Sequence, residues 1–469
     1  MENRVRRFWP IVTSALCVVL ITTWLAFLIK KGSLTNKDEF MTGERSREML
    51  LLGAVPVHEN FQPSFQKPPL QYWLSAFTLS HLHSREVALR IWPLLYGMLS
   101  AVAIAWLASL LEPQRLWLIP LAIFFLLMCP IFLPETCRAL LDTGLTFFTT
   151  LALVFAHLSR KHPVCWLAVA ALCVLGALQK MPLIFLIWIV ILLVRFAKKE
   201  ERTALRSRWL FVGLALAVVG ISIWPLLQVA KFGMPPGRIL GLQEAVELAS
   251  PARLGARRYL EIPFRLMTTW PCGIFAFLAA FYFIRERRSH PALAELAIIC
   301  LGTILLGVLF NFRSARYVVP ILPALALLLA VFVHLLLERE RCAAITTAIV
   351  ILFLSAVGWE VSRQFINRRR KDHSAQLRVA EELGRQQNAA TQLVVVDPDR
   401  HILPEQFFLF YGELRFPVTL VFAADLPRTK LQTPAAGVCA VRDLPLVQSK
   451  FPNLSIALHS GEFVCWNAR

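Results

Sequence analysis

The sequence predicts an α-helical polytopic membrane protein with about eleven transmembrane helices and a small C-terminal α/β domain outside the bilayer. Three observations carry this expectation. Of 469 residues, 57% are hydrophobic and only 17% charged, whereas soluble chains carry about 25% charged residues. The apolar residues are gathered into runs of membrane-spanning length. The stretch Val361–Arg469 breaks that pattern with short helix- and strand-forming segments.

The first run, Phe8–Ile29, follows Arg4, Arg6 and Arg7. It is too long for the apolar part of a secretion signal, and no small-x-small site follows, so it reads as an uncleaved span. Further spans are expected at Ile91–Leu111, Leu116–Pro134, Thr143–Leu158, Val164–Leu178, Met181–Phe196, Trp209–Ala230, Trp270–Ile284, Pro291–Phe310, Tyr317–Leu337 and Cys342–Glu360. The fourth, fifth, sixth and eighth are shorter than the roughly 20 residues of a straight crossing, as tilted or broken helices would be.

Lys and Arg set orientation. With the N-terminus inside, the loops Ser159–Pro163, Ala197–Arg208, Arg285–His290 and Glu338–Arg341 are inside, and all four are rich in basic residues, while Glu112–Arg115 is nearly neutral. This predicts a multi-pass protein of the cytoplasmic (inner) membrane. The outer side, periplasmic in a two-membrane envelope, then receives loop 30–90, loop 231–269 and the tail. The expected division is a membrane domain over 1–360 and a soluble domain over 361–469.

The formal net charge of +19 has causes other than nucleic acid. Inside loops account for part of it, and the rest suits anionic lipid or a phosphorylated substrate. Ten cysteines fall mostly in apolar runs, as small buried hydrophobes do. Cys439 and Cys465 lie in the tail, where a location outside the cytoplasm leaves a disulfide open. Within the tail, Ser374–Gln387 has helical spacing. Gln392–Val396, Phe407–Tyr411, Val418–Phe422 and Phe463–Trp466 read as strands.

The first outer loop holds the residues best suited to chemistry. Asp38 and Glu39 sit just after the first span, where carboxylates are costly unless solvated or paired. Either they cap a helix, as Thr35 and Asn36 also would, or one acts as a general base. In FQKPPLQYW, Pro68 and Pro69 stiffen the chain beside Lys67, and a fixed ammonium suits a phosphate. Gln66 and Tyr72 flank it as substrate-lining candidates, Tyr72 also as an interface aromatic. Asp142, in RALLDTGLTFF, faces the same side and reads as a helix cap or a second working carboxylate. Lys180, Arg257, Arg258 and Arg316 fall on that side too, as candidate phosphate-binding cations.

These segments resemble the GT-C membrane glycosyltransferases, in the branch of the aminoarabinose transferases of lipid A and the protein O-mannosyltransferases. DEFMTGERSREML at Asp38–Leu50 is similar to that branch's DEARYAEIAREML, and FQKPPLQYW to its FEKPPLxYW. RALLDTGLTFF, LQKMP and RYVVPILPALALL resemble its later motifs, in order over most of Phe8–Glu360. The resemblance implies a GT-C fold and a polyprenyl-phosphate-linked sugar donor. It also implies inversion in a single displacement, with a lipid, glycan or protein acceptor. Asp38 would be the catalytic carboxylate, supported by Asp142, and Lys67 would contact the donor phosphate.

Two departures stand out. The branch's arginine three residues after the first aspartate is Met41 here, and the glutamate before the lysine is Gln66. No counterpart to the aminoarabinose branch's histidine appears in LQEAVELASPAR. A divalent metal therefore has no clear ligand set in the sequence. The alternatives are a transporter or flippase of an anionic lipid, and a non-catalytic relative that binds lipid-linked sugar.

Overall fold

The computed structural model describes residues 2–30, 32–127, 129–180, 183–198, 201–233, 273–309, 315–338, 373–397 and 402–469. The expected span Cys342–Glu360, most of loop 231–269, and with it Arg257 and Arg258, lie outside the described residues.

The chain forms two compact units. One comprises Met1–Lys30, Phe65–Gln71 and Arg90–Gln364, and the other Lys31–Ser64, Tyr72–Leu89 and Phe365–Arg469. The structure adds to the tail's unit most of the first outer loop.

The first unit is built of apolar helices: α1 (Glu2–Ile29), α4 (Arg85–Leu111, whose first turn belongs to the second unit), α5 (Leu118–Leu127), α6 (Phe132–Thr136), α7 (Asp142–Leu158), α8 (Cys165–Gln179), α9 (Leu183–Ala197), the short α10 (Arg202–Leu205), α11 (Arg208–Phe232), α12 (Gly273–Arg285), α13 (Pro291–Leu309) and α14 (Leu322–Leu337), the last entered through a 3-10 turn, Ala315–Ile321. Helices in four stretches, Arg85–Leu111, Arg208–Phe232, Pro291–Val308 and Arg316–Leu337, are long and apolar enough to cross a bilayer. On α11, Phe211, Leu216, Val218, Val219 and Leu226 are exposed, a surface that calls for lipid rather than water as its solvent. By contrast, residues 322 to 331 of α14 are all buried. That helix packs on α5 and α12, while α7 and α11 pack on α8.

The third expected span, continuous to Pro134, is interrupted. Helix α5 ends at Leu127, and after Pro130 the chain restarts as α6. A proline has no N–H to give the preceding turn and clashes with its carbonyl.

Side chains sort the connecting loops. Arg160, after α7, donates to Glu201 at 2.8 Å and also pairs with Glu295 of α13. Lys198 pairs with the same Glu295 at 2.6 Å. Arg115 reaches Glu338 at 3.3 Å, and His290 lies 3.9 Å from Glu112. The loops expected to share the inner side are thus cross-linked in two groups by ion pairs. Lys180, Asp142 and Tyr317, all expected on the other side, meet one another.

The second unit contains α2 (Lys37–Leu52), a hairpin of β1 (Val57–Glu59) and β2 (Gln62–Ser64), most of α3 (Leu70–Leu79), and the tail. In the tail, α15 (Ser374–Gln386), β3 (Gln392–Val396), α16 (Glu405–Tyr411), β4 (Val418–Val421), β5 (Ala435–Ala440), α17 (Leu444–Lys450), β6 (Leu454–Ser460) and β7 (Phe463–Ala468) follow in order. The sheet runs β4-β3-β5-β7-β6, parallel among β4, β3 and β5, antiparallel across β5, β7 and β6. α15 packs against β5, β6 and β7.

Phe407–Tyr411, expected as a strand, is helical. Residues 406 to 411 are all buried, and a wholly buried apolar run does not distinguish helix from strand by periodicity. Cys439 and Cys465 are free thiols. They sit on adjacent strands, but Cys439 pairs with Val464 and Cys465 with Val438. Their side chains therefore leave opposite faces of the sheet, and no bridge forms. Burial pushes the Cys439 thiol up to about 12.

Candidate active site

Asp38 and Glu39 occupy the first turn of α2, and the structure divides their roles. Asn36 is the N-cap, its side-chain oxygen accepting from the Glu39 N–H at 2.8 Å. The Glu39 carboxylate turns back to accept from the N–H and the hydroxyl of Thr35, both at 2.8 Å, a reciprocal arrangement of the capping-box kind. Glu39 is fully buried, whereas Asp38 is exposed. The helix terminus is therefore secured by Asn36 and Glu39, and Asp38, an exposed residue of the same first turn, stands at the positive end of the helix dipole.

The rest of α2 is unusually polar inside. Glu44, Arg45, Ser46 and Glu48 are all inaccessible to solvent. Arg45 donates to the Tyr72 hydroxyl at 3.0 Å and to Glu59 at 2.5 Å. Tyr72 is buried rather than set at a membrane interface, and its role here is to receive Arg45. Burial pushes its hydroxyl pKa up, opposed by Arg45. Arg47 holds Glu44 through two nitrogens, at 2.9 and 2.7 Å, and donates to the Leu414 carbonyl at 2.7 Å. Glu48 accepts from the Phe61 N–H at 2.8 Å. Burial, and then the charge of Glu44 one turn away, push the Glu48 carboxyl up to about 8. Phe40 packs edge-on to Phe407, ring centres 5.3 Å apart. The Tyr411 hydroxyl accepts from the Leu34 N–H and donates to Glu86, both at 2.9 Å. The tail thus fixes the segment on which Asp38 stands.

In the first unit, Asp142 opens α7 and Lys180 follows the last residue of α8 in an extended conformation. Nζ of Lys180 lies 2.6 Å from Oδ1 of Asp142, with the two side chains only 12% and 3% exposed. The ammonium also lies 4.9 Å from the centre of the Tyr317 ring, a favourable cation–π distance. Burial opposes a charge on Lys180, but the Asp142 carboxylate overrides it and raises the lysine pKa above its ordinary value. Leu141, the N-cap of α7, has no side-chain cap bond. Asp142 is thus inside the first turn and spends its side chain on Lys180.

Gln179 joins this pair to the proline-stiffened segment. Its Nε2 donates to Gln71 Oε1 at 3.0 Å and to the Leu141 carbonyl at 3.1 Å. Gln71 lies four residues after Lys67, and the bond to Gln179 ties the end of that stretch to the residue before Lys180. Phe65 packs edge-on to Phe232, centres 5.6 Å apart. Gly144 makes room: a Cβ there would lie 2.5 Å from Gln179 Nε2. Gln71, Gln179 and Tyr317 are site residues that sequence reasoning missed. The glutamines lie within lysine-bearing motifs, but nothing in the sequence links positions 108 apart.

The first unit therefore brings together Asp142, Lys180 and, through Tyr317, the turn that bears Arg316; Gln66 and Lys67 belong to the same unit. Asp38, Glu39 and Tyr72 belong to the second. The arrangement supplies buried, oriented positive charge in one unit and an exposed carboxylate in the other.

Known proteins place this architecture. The family model for dolichyl-phosphate-mannose-protein mannosyltransferases matches residues 66–224. No curated protein sequence matches the chain. Among solved structures, ArnT from Cupriavidus metallidurans bound to undecaprenyl phosphate aligns at a TM-score of 0.72 with 17% identity, covering 97% of each chain. The Archaeoglobus fulgidus oligosaccharyltransferase tethered to an acceptor peptide aligns at 0.55 with 12% identity, over 88% of this chain and 64% of that one. The archaeal oligosaccharyltransferase AglB from Archaeoglobus fulgidus, with an inhibitory peptide and a dolichol-phosphate, aligns at 0.53 with 11% identity. With that family model on part of its length and this architecture over nearly all of it, the chain is a multi-pass membrane protein with the GT-C glycosyltransferase fold.

Proposed function

We propose that the chain is an inverting glycosyltransferase. It moves a sugar from a polyprenyl-phosphate donor to an acceptor at the outer face of the cytoplasmic membrane. The observation that carries this reading is the buried Lys180–Asp142 pair, which keeps an ammonium charged and held in place away from solvent. Such a group stabilises a phosphate as charge builds on it, because nothing has to reorganise when the bond breaks. Lys180, Lys67 and Arg316 hold the donor phosphate, and Asp142 supports Lys180. Asp38 takes the proton of the attacking hydroxyl or amine. The acceptor attacks the anomeric carbon, and the bond electrons leave with the lipid phosphate. The relative solved with undecaprenyl phosphate favours this donor class. Lipid A, another glycolipid, a polysaccharide or a protein all fit as the acceptor.

The test uses the full-length protein in proteoliposomes with radiolabelled polyprenyl-phosphate sugars. Asp38→Asn is expected to lower turnover by about 10²–10⁴, the usual contribution of a general base. Unchanged turnover in the folded variant refutes the role. Met41 and Gln66 favour one second reading, a relative that binds lipid-linked sugar without transferring it. Retention of labelled donor with no product in the wild type would establish that reading instead.

A further inference from the structure

Glu135 is the penultimate residue of the short α6, beyond the expected end of the third span, and no motif drew attention to it. It is only 5% exposed, and its Oε2 has no hydrogen-bond partner among the described residues. The charges acting on it come from four segments: Asp142 on α7, Arg316 on the 3-10 turn before α14, Arg138 on its own connector, and Lys180 after α8. These include the groups assigned above to the donor phosphate. A buried carboxyl group with an unmatched oxygen is an anomaly in a folded protein and calls for a reason.

We propose that Glu135 sets the charge of the donor-phosphate site, a positioning residue that acts through Lys180 and Arg316. When it is neutral, three cations face one carboxylate, and an incoming phosphodiester meets excess positive charge. When it ionises, the same cations face two carboxylates and the attraction weakens. Burial and then the Asp142 charge push the Glu135 carboxyl up to about 7, against the pull of Arg316, Arg138 and Lys180. The change therefore falls near neutrality. Lys180, whose pKa is raised, keeps its charge across that range. The sign follows: donor affinity is highest below neutrality and falls as pH rises through about 7. Binding an anion near pH 7 favours the neutral acid, so it draws a proton from solvent.

This inference rests on the donor-phosphate reading, and the experiment separates the two. The probe is a short prenyl methyl phosphodiester, whose single charge is constant across the range. Binding to the detergent-solubilised full chain is measured by titration calorimetry from pH 6 to 8.5, and near pH 7 in two buffers of different ionisation enthalpy. The wild type is expected to lose roughly three- to tenfold in affinity, the scale of one nearby like charge partly screened by protein and solvent, and to take up a fraction of a proton on binding. Glu135→Gln, neutral at every pH and nearly the same shape, is expected to bind with a flat profile and no uptake. A pH-independent wild type with no proton uptake overturns the role of Glu135 and leaves the phosphate site standing. The same holds for a Glu135→Gln profile that still falls. No binding at any pH overturns the phosphate site and this inference with it. Because proton uptake is read on the unmodified protein, the test survives a variant that fails to fold.

Discussion

The Asp142–Lys180 pair makes the sharpest prediction. The two charged groups are 2.6 Å apart and nearly sealed from solvent, so each is tolerable only because the other is present. Opposite charges about 4 Å apart attract by about 4 kcal/mol at an effective dielectric of 20, and desolvation takes back much of that. Removing one partner does not merely forfeit the attraction: it strands the other charge, which costs roughly 3–5 kcal/mol. Asp142→Leu and Lys180→Met are each expected to destabilise by that order. The double variant leaves no unpaired charge and is expected to recover at least half of the loss. Turnover behaves differently, because the double variant still lacks the phosphate-holding ammonium and stays inactive. The assay is a thermal-unfolding series of the detergent-solubilised single and double variants, with turnover measured on the same samples. If the double variant is no more stable than the weaker single, the two groups are not energetically linked and the reasoning fails. If it regains activity along with stability, the pair is structural and the phosphate role falls.

Two further outcomes follow from the geometry. Glu48 has its folded pKa raised to about 8 by burial and by Glu44. Its contribution to stability is therefore complete below the unfolded value near 4.5 and is lost as pH rises through 8. The wild-type unfolding temperature should fall over that window more than that of Glu48→Gln; parallel curves would refute the assignment. Gly144→Ala places a methyl against Gln179, and an overpacked site of this kind costs roughly 1–3 kcal/mol. Because Gln179 also holds Gln71 and Leu141, turnover should fall in a variant that still folds, and unchanged donor KM and turnover would show that the anchor is dispensable.

Much of the membrane architecture was legible because hydropathy is local. Runs of apolar residues mark helices wherever lipid is the solvent, and the basic loops that were grouped on one side do meet through Arg160, Lys198 and Glu295. The break at Pro130 was legible in principle, since the proline was in view. Strands β5 and β6 escaped notice. Ala435–Ala440 reads AAGVCA, poor in the branched and aromatic residues that mark strands, and its burial comes from neighbours distant in sequence. At the site, the lysine and aspartate motifs stood out as charge beside apolar sequence. Their pairing did not, nor did the glutamine bridge, because such contacts are fixed by packing between helices. The division of labour between Asp38 and Glu39 turned on whether Thr35 or Asn36 was the cap, a matter of one residue that sequence leaves open.

The bond from Arg47 to the Leu414 carbonyl spans 367 positions, and the Tyr411 bond to Leu34 spans 377. During synthesis the helix bearing Asp38 therefore leaves the ribosome long before its clamp does. Until then its buried charges, Glu44, Arg45 and Glu48, lack much of their cover. Contacts of such long range form slowly, so a chain cut before Tyr411 and Leu414 is expected to lack the clamp on the helix that carries Asp38.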